Sequence, residues 1–176
     1  MRNVEIKATV EDYDEICKIA EQLSSGGPKL MNQSDTFYKV NNGRLKMRYE
    51  DSTATLVRYS RDDENGPKMS DYELLQFTSD EKDKGKLLDE MLVKCLGVRG
   101  TVIKERKLYM VGQTRVHIDR VAGLGDFMEL EVVLTPDQTL EEGQAIAKDL
   151  QTKLGIKDEC LIDCAYLDLL QQKLKK

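Results

Sequence analysis

Residues 102–134 read VIKERKLYMVGQTRVHIDRVAGLGDFMELEVVL. Three runs with period-two alternation lie in and around this stretch, near 100–111, 114–121 and 126–135. Alternation of that period puts successive side chains on opposite faces of a strand. Gly112-Gln113 separates the first two runs as a hairpin turn would, and Gly123-Leu124-Gly125-Asp126 separates the next two. What alternates is more telling. Lys104 and Arg106 share one face. Arg115, His117 and Asp119 oppose Val116 and Ile118. Glu129 and Glu131 oppose Leu130, Val132 and Leu134. Each strand has an apolar side and an ionic side.

The pattern extends outward. In Asn3-Val4-Glu5-Ile6-Lys7, Glu5 and Lys7 oppose Val4 and Ile6; in Arg44-Leu45-Lys46-Met47-Arg48, Lys46 and Arg48 oppose Leu45 and Met47. Strands are expected near 2–10, 34–40, 44–51, 54–61 and 68–78 as well, making eight, with Asn41-Asn42-Gly43 as a further hairpin turn. Helical spacing appears at 11–23 (Tyr13, Ile16, Cys17, Ala20, Leu23), at 80–96 (Leu87, Leu88, Met91, Leu92, Cys95, Leu96) and at 139–154, where Thr139 is placed as an N-cap; 161–174 reads as a fourth helix. No repeat or linker divides the chain, so residues 1–176 are expected to form one domain of the α+β class, an antiparallel sheet or barrel with helices outside.

Two arrangements are open to the ionic face. In an ordinary sheet it would lie in water. Here, however, the charges segregate by strand, cations on 44–48 and 104–106, anions on 129–131, and the helices need apolar sheet to cover. With helices on the apolar side of a closed sheet, the ionic side faces a lumen. A lumen holding both signs calls for a ligand, because unpaired buried charge is costly. Clustered carboxylates suit a hard divalent cation, and Lys and Arg suit phosphate oxygens. The two together fit a metal-bridged polyphosphate.

Composition narrows the field. The 176 residues carry 27 Lys and Arg against 32 Asp and Glu, net −5, the reverse of the usual nucleic-acid binder. No long uncharged apolar run suggests a membrane span, and Met1–Lys7 lacks the apolar core of a signal peptide. Cys17, Cys95, Cys160 and Cys164 form no C-x-x-C pair and read as reduced thiols, so a cytoplasmic location is expected. A single histidine, His117, excludes a His-rich zinc site.

These segments, in this order, resemble the CYTH superfamily of triphosphate tunnel metalloenzymes, which includes class IV adenylate cyclases and thiamine triphosphatases. The family's E-x-E-x-K signature stands here as Asn3-Val4-Glu5-Ile6-Lys7, with Asn in place of the first Glu. The basic pairs are matched by Lys46 and Arg48 and by Lys104 and Arg106, a further cation by Arg61, and the late acidic signature by Asp119, Glu129 and Glu131. The stretch 102–134 looks especially like the class IV cyclase branch. The resemblance implies an eight-stranded antiparallel barrel, a triphosphate tunnel, that binds a triphosphate with Mg²⁺ or Mn²⁺. It places Glu5, Asp119, Glu129 and Glu131 on the metal side and Lys7, Lys46, Arg48, Arg61, Lys104, Arg106 and Arg115 on the phosphate side. Asn3 removes one carboxylate and with it the charge that a second metal ion would need.

Three activities follow as expectations. The first is hydrolysis of the terminal phosphate of tripolyphosphate, ATP or thiamine triphosphate, with Lys7 assisting the attacking water and Tyr38 orienting it. The second is cyclisation of ATP to cyclic AMP and pyrophosphate. The third is triphosphate binding without turnover. Elsewhere, His117 reads as a wall residue, Cys160 and Cys164 as packing, Gly123 and Gly125 as a turn, and Asp71 and Glu73 as partners for lumen cations. Met47, Met91 and Met128 read as apolar filling, and Lys173, Lys175 and Lys176 as a solvated tail.

Overall fold

The structure is a computed structural model. It describes the backbone of residues 2–61 and 68–175, and the side chains of all of these except 61 and 68–71. Strands β1 (Asn3–Thr9), β2 (Lys29–Tyr38), β3 (Arg44–Glu50), β4 (Thr53–Arg61), β5 (Lys68–Phe77), β6 (Val98–Val111), β7 (Thr114–Val121), β8 (Gly125–Val133) and β9 (Leu161–Ile162) alternate with helices α1 (Tyr13–Leu23), α2 (Lys82–Leu96), α3 (Leu140–Lys153) and α4 (Tyr166–Lys173). The sheet runs β5-β4-β3-β2-β6-β7-β8-β1-β9. Every pairing is antiparallel, and β5 also meets β1 at Val4↔Met69 and Glu5↔Lys68. The sheet is therefore barrel-like, its first eight strands wrapping round until the ends touch.

The expected architecture is present, with three local differences. A two-residue β9 joins the sheet beside β1, in a segment that reads as the start of a helix; α4 itself begins only at Tyr166. β2 starts at Lys29, five residues before the sequence signals it, because Lys29–Asp35 offers few apolar side chains to reveal its alternation. It also carries a bulge between Phe37 and Tyr38. The β6–β7 hairpin turns on Gly112, whose φ of 56° is a left-handed conformation that costs glycine least.

The helices cover the outward apolar faces. α1, capped by the Asp12 side chain accepting from the Glu15 amide, sets Ile16, Cys17 and Ala20 against Tyr109, Val116, Ile118 and Met128. α3 begins with a reciprocal capping box between Thr139 and Glu142 and packs Ala147 on Val4 and Val132. α2 packs Leu88, Leu92 and Leu96 on Tyr38, Met47 and Ala54. Each fully buried side chain of this kind contributes roughly 1.5–3 kcal/mol by leaving water. With the outer face covered, the ionic parity turns inward.

α4 behaves differently. Leu167 and Tyr166 pack on Phe37, Val102, Val121 and Phe127, residues whose strand parity is that of the lumen. The helix thus stops one end of the barrel. It sits so close to β6 that a methyl group at Gly100 would come within 2.5 Å of the Leu167 Cδ1. Arg99 Nη2 holds Asp168 Oδ1 at 2.6 Å, and Lys173 Nζ donates to the Gly123 carbonyl at 2.8 Å.

Candidate active site

The lumen is a cavity of about 1010 Å³ lined by Glu5, Lys7, Lys46, Arg48, Lys104, Arg106, Arg115, Glu129 and Glu131, together with Asp35, His117 and Tyr166. Nine of the sequence-assigned ionic residues therefore meet in one chamber. Asp119 sits behind its wall, fully buried, between Arg106 and Tyr166. The side chain of Arg61 lies outside the described residues.

Two clamps of the same design organise the cations. On β3 and β2, Arg48 Nε and Nη2 each donate to a different oxygen of Asp35 at 2.7 Å, and Lys46 Nζ donates to Oδ2 at 2.7 Å. On β6 and β7, Arg106 Nε and Nη2 grip Asp119 at 2.6 Å each, with Lys104 Nζ at 3.5 Å. In both, the aspartate stands directly opposite the arginine on the neighbouring strand. Burial alone would push both carboxyls up. The facing cations outweigh it, Lys46 and Arg48 at Asp35 and Arg106 and Lys104 at Asp119, and hold both below the usual carboxylate range. Burial, reinforced by the adjacent guanidinium, pushes Lys46 down to about 8 and Lys104 down to about 7.

The remaining carboxylates divide into two kinds. Glu129 is ion-paired with Lys7 Nζ at 3.0 Å and with Arg106, and His117 Nδ1 lies 3.8 Å away. Burial and Arg106 push the His117 imidazole down, so it faces Glu129 mainly as a neutral ring. Glu5 and Glu131 stand opposite each other on β1 and β8. Between them Asn3, 2 % exposed, donates its amide to Glu131 Oε1 at 2.5 Å and to Glu5 Oε1 at 3.3 Å. The amide oxygen of Asn3 is buried without a hydrogen-bond partner. Carboxylate and amide oxygens are the donor types a hard divalent cation takes, and here the Asn3 nitrogen faces the two carboxylates. Among the described residues no three of His, Cys, Asp and Glu converge as a cage. All four carboxylates that the sequence assigns to a metal are engaged within the protein: Glu5 with Asn3, Glu131 with Asn3 and Arg115, Glu129 with Lys7 and Arg106, and Asp119 with Arg106 and Lys104.

Two expectations are corrected here. Tyr38 is 2 % exposed on the outer side of the barrel, where its hydroxyl donates to Asp89 Oδ1 of α2 at 2.6 Å. The Tyr49 hydroxyl reaches the other oxygen of Asp89 at 2.9 Å, so the pair straps α2 to the sheet. Phe37, not Tyr38, takes the lumen parity, and Tyr38 is too remote to orient a water there. Glu73 also points outward, 77 % exposed and 4.0 Å from Arg58, while its neighbours Tyr72 and Leu74 line the cavity; the side chain of Asp71 lies outside the described residues.

Sequence reasoning missed Asp35 and Tyr166. The Tyr166 hydroxyl donates to Asp119 Oδ2 at 2.8 Å, and its ring lies 4.2 Å from Lys7 Nζ and 5.2 Å from Lys104 Nζ. The hydroxyl is held protonated by burial and by Glu129 and Asp119. The Cys164 carbonyl accepts from Lys7 Nζ at 3.4 Å. The blind end of the chamber is thus furnished by the segment leading into α4.

Comparison with known proteins decides the family. The profile of the CYTH domain matches residues 1–166. The chain belongs to the CYTH domain family. This is a family of enzymes that act on triphosphates. The chain is 30% identical over 111 residues to the adenylate cyclase CyaB of Aeromonas hydrophila, a match covering 62% of this chain and 55% of the relative, so it spans little more than half of that protein. It is 29% identical over 185 residues to "Putative adenylate cyclase MJ0240" of Methanocaldococcus jannaschii, covering 96% of the chain and 98% of the relative. The PH1012 protein of Pyrococcus horikoshii has the same fold, with a TM-score of 0.79 at 23% identity over 95% of this chain and 98% of that one. No helix among the described residues is long and apolar enough to cross a membrane.

Proposed function

We propose that this CYTH domain is a divalent-metal-dependent triphosphatase, taking tripolyphosphate, ATP or thiamine triphosphate into the lumen and hydrolysing the terminal phosphate. The observation that carries the reading is the convergence of Lys7, Lys46, Arg48, Lys104, Arg106 and Arg115 on one chamber that α4 stops at one end. Six cations exceed what the carboxylates in reach neutralise once a metal occupies two of them, and a chain of phosphoryl groups supplies the missing negative charge.

Asn3, Glu5 and Glu131 would hold the metal, Mg²⁺ or Mn²⁺, whose contribution is to neutralise phosphate oxygens and fix their orientation. The protein does the rest by positioning. Arg48 and Arg106 present guanidinium forks already aligned by their aspartates. Lys7, tied to Glu129 and to the Cys164 carbonyl, lies over the Tyr166 ring at the blind end. Of the lumen amines, Lys104, pushed down to about 7 by burial and Arg106, is best poised to take the proton of the attacking water. Lys7 is the second candidate.

The names of the two relatives favour a second reading, cyclisation of ATP with release of pyrophosphate. It uses the same cations but turns the α-phosphate toward the ribose hydroxyl. Product analysis with Mg²⁺ and Mn²⁺ on tripolyphosphate, ATP and thiamine triphosphate separates the readings. Orthophosphate and the diphosphate are expected. Cyclic AMP with pyrophosphate would replace the first reading by the second, and tight binding without product would make the protein a binding module.

A further inference from the structure

The apolar signal of α2 in the sequence is Leu87, Leu88, Met91, Leu92, Cys95 and Leu96, and the fold uses only half of it. Leu88, Leu92 and Leu96 pack on the sheet. Gly85 fixes the rotation of the helix about its axis, because a methyl group there would come within 3.1 Å of the Phe77 ring and 3.2 Å of the Ala54 Cβ. Leu87, Met91 and Cys95 recur every four residues on the adjoining face and stay in water. Leu87 is 59% and Met91 54% exposed, and Cys95 is exposed. Leu75, on the same side of β5 as Phe77, adds another leucine that is 52% exposed. Charge flanks the stripe. Asp83 and Lys94 are separated by close to three full turns, about 16 Å along the axis, so they lie on one flank of it. Both are exposed, and among the described residues neither takes part in a salt bridge.

We propose that this face of α2 docks on the same face of a second copy of the chain, the two helices antiparallel about a two-fold axis near the level of Asp89. The charges select that occupant. A two-fold axis there sets Leu87 of each copy against Met91 of the other, and brings Asp83 of each beside Lys94 of the other. Two reciprocal opposite-charge pairs then border an apolar contact, as a self-complementary interface requires. A parallel pairing would set Asp83 against Asp83 and Lys94 against Lys94, and like charges across an interface repel. Closing the contact removes Leu87 and Met91 from water, which is favourable in proportion to the apolar area covered. One helix pair covers less than the roughly 800 Å² per partner of a standard interface, so the dimer forms and dissociates with concentration. No residue of α2 lines the lumen, so the contact is independent of the chemistry proposed above.

Sedimentation of the full chain tests this, run from micromolar to submillimolar concentration in reducing buffer so that Cys95 cannot join copies covalently. The wild type is expected to pass from monomer to dimer. Leu87→Glu, at an exposed position and checked for folding by circular dichroism, should remain monomeric throughout. Asp83→Lys and Lys94→Asp should each weaken association about tenfold, since each reversal sets two exposed pairs into repulsion. The double variant Asp83→Lys/Lys94→Asp restores opposite charges across the two-fold axis and should dimerise like the wild type. A wild type that stays monomeric at submillimolar concentration overturns the inference. So does a dimer that Leu87→Glu leaves unchanged, because the contact then lies elsewhere on the surface. Failure of the double reversal to recover what the single reversals lose overturns the antiparallel pairing.

Discussion

The two Lys-x-Arg clamps of the lumen are built alike and anchored differently. Arg48 meets Asp35 and Arg106 meets Asp119 with the same two-pronged geometry, each across an antiparallel pair. Arg48, however, keeps 23% of its side chain exposed and is held by Asp35, whereas Arg106 is 5% exposed and also engages Glu129. Asp119 in turn takes the Tyr166 hydroxyl. A partly exposed guanidinium can trade its carboxylate for phosphate; one buried between two carboxylates, with a tyrosine behind them, is fixed before substrate arrives. The first clamp would then be the adjustable part of the phosphate site and the second its rigid reference.

The largest expected effect tests that asymmetry. Arg106→Ala leaves Asp119 and Glu129 buried beside fewer cations, and removing one member of a buried ion pair costs about 3–5 kcal/mol. Arg48→Ala, at a partly exposed site where Lys46 still holds Asp35, is expected to cost less than half as much. Denaturant melts of the two variants decide it, and equal losses would abolish the distinction. The next effect tests whether Glu131 serves the metal side of the proposed site. Glu131→Gln is expected to lower metal-dependent turnover about a hundredfold, the scale of losing a positioned electrostatic group. Its melting temperature without metal should stay close to wild type, because Arg115 at 3.2 Å is a part-exposed partner. A wild-type rate in that protein would remove Glu131 from the metal set.

The sequence makes one half of this comparison much easier to see than the other. Arg106 and Asp119 lie on strands whose opposite parity is apolar, so alternation shows which way they point. Asp35 sits in Gln33-Ser34-Asp35-Thr36, polar on both faces, and gives no such signal. Alternation from Asp35 puts Phe37 on the lumen side and Tyr38 on the outer side, which is why the hydroxyl expected near the water serves α2 instead. Tyr166 shows the limit of periodicity. On a tail helix it reads as one apolar residue among several. Its place over Lys7 depends on a chain reversal after β9 that joins residues 47 positions apart, Asp119 and Tyr166, and no local pattern encodes that. At Asn3 the departure from the acidic signature is visible in the sequence, but the buried amide oxygen without a partner appears only in three dimensions.

Tyr166→Phe removes one hydrogen bond to a carboxylate, about 1.5–3 kcal/mol for a charged partner, and sharpens the comparison from the rigid side. If the second clamp is a preformed reference, the variant should raise KM for the triphosphate severalfold through a loosened Arg106 while Arg48-dependent binding persists. Steady-state kinetics beside an Arg48→Ala/Tyr166→Phe double variant read this directly. Additive losses would show the clamps acting independently, and a strongly non-additive result would show them acting as one unit.

The last effect comes from pH, and its sign differs between binding and stability. Burial and Arg48 push Lys46 down to about 8 from an ordinary 10.5, against the pull of Asp35. Phosphate binding needs the ammonium form. Below pH 8 it is already present in the free protein; above pH 8 a proton must be taken up, and affinity is expected to fall by up to about tenfold per pH unit. Folding responds the other way. Between pH 8 and 10.5 the unfolded chain still holds the proton that the folded protein has released, so stability rises across that window. Lys46→Arg keeps a permanent cation on the adjustable clamp. Titration calorimetry from pH 7 to 9.5 should therefore show a flatter affinity profile in Lys46→Arg than in the wild type. Identical slopes would mean that Lys46 does not set the charge of the first clamp.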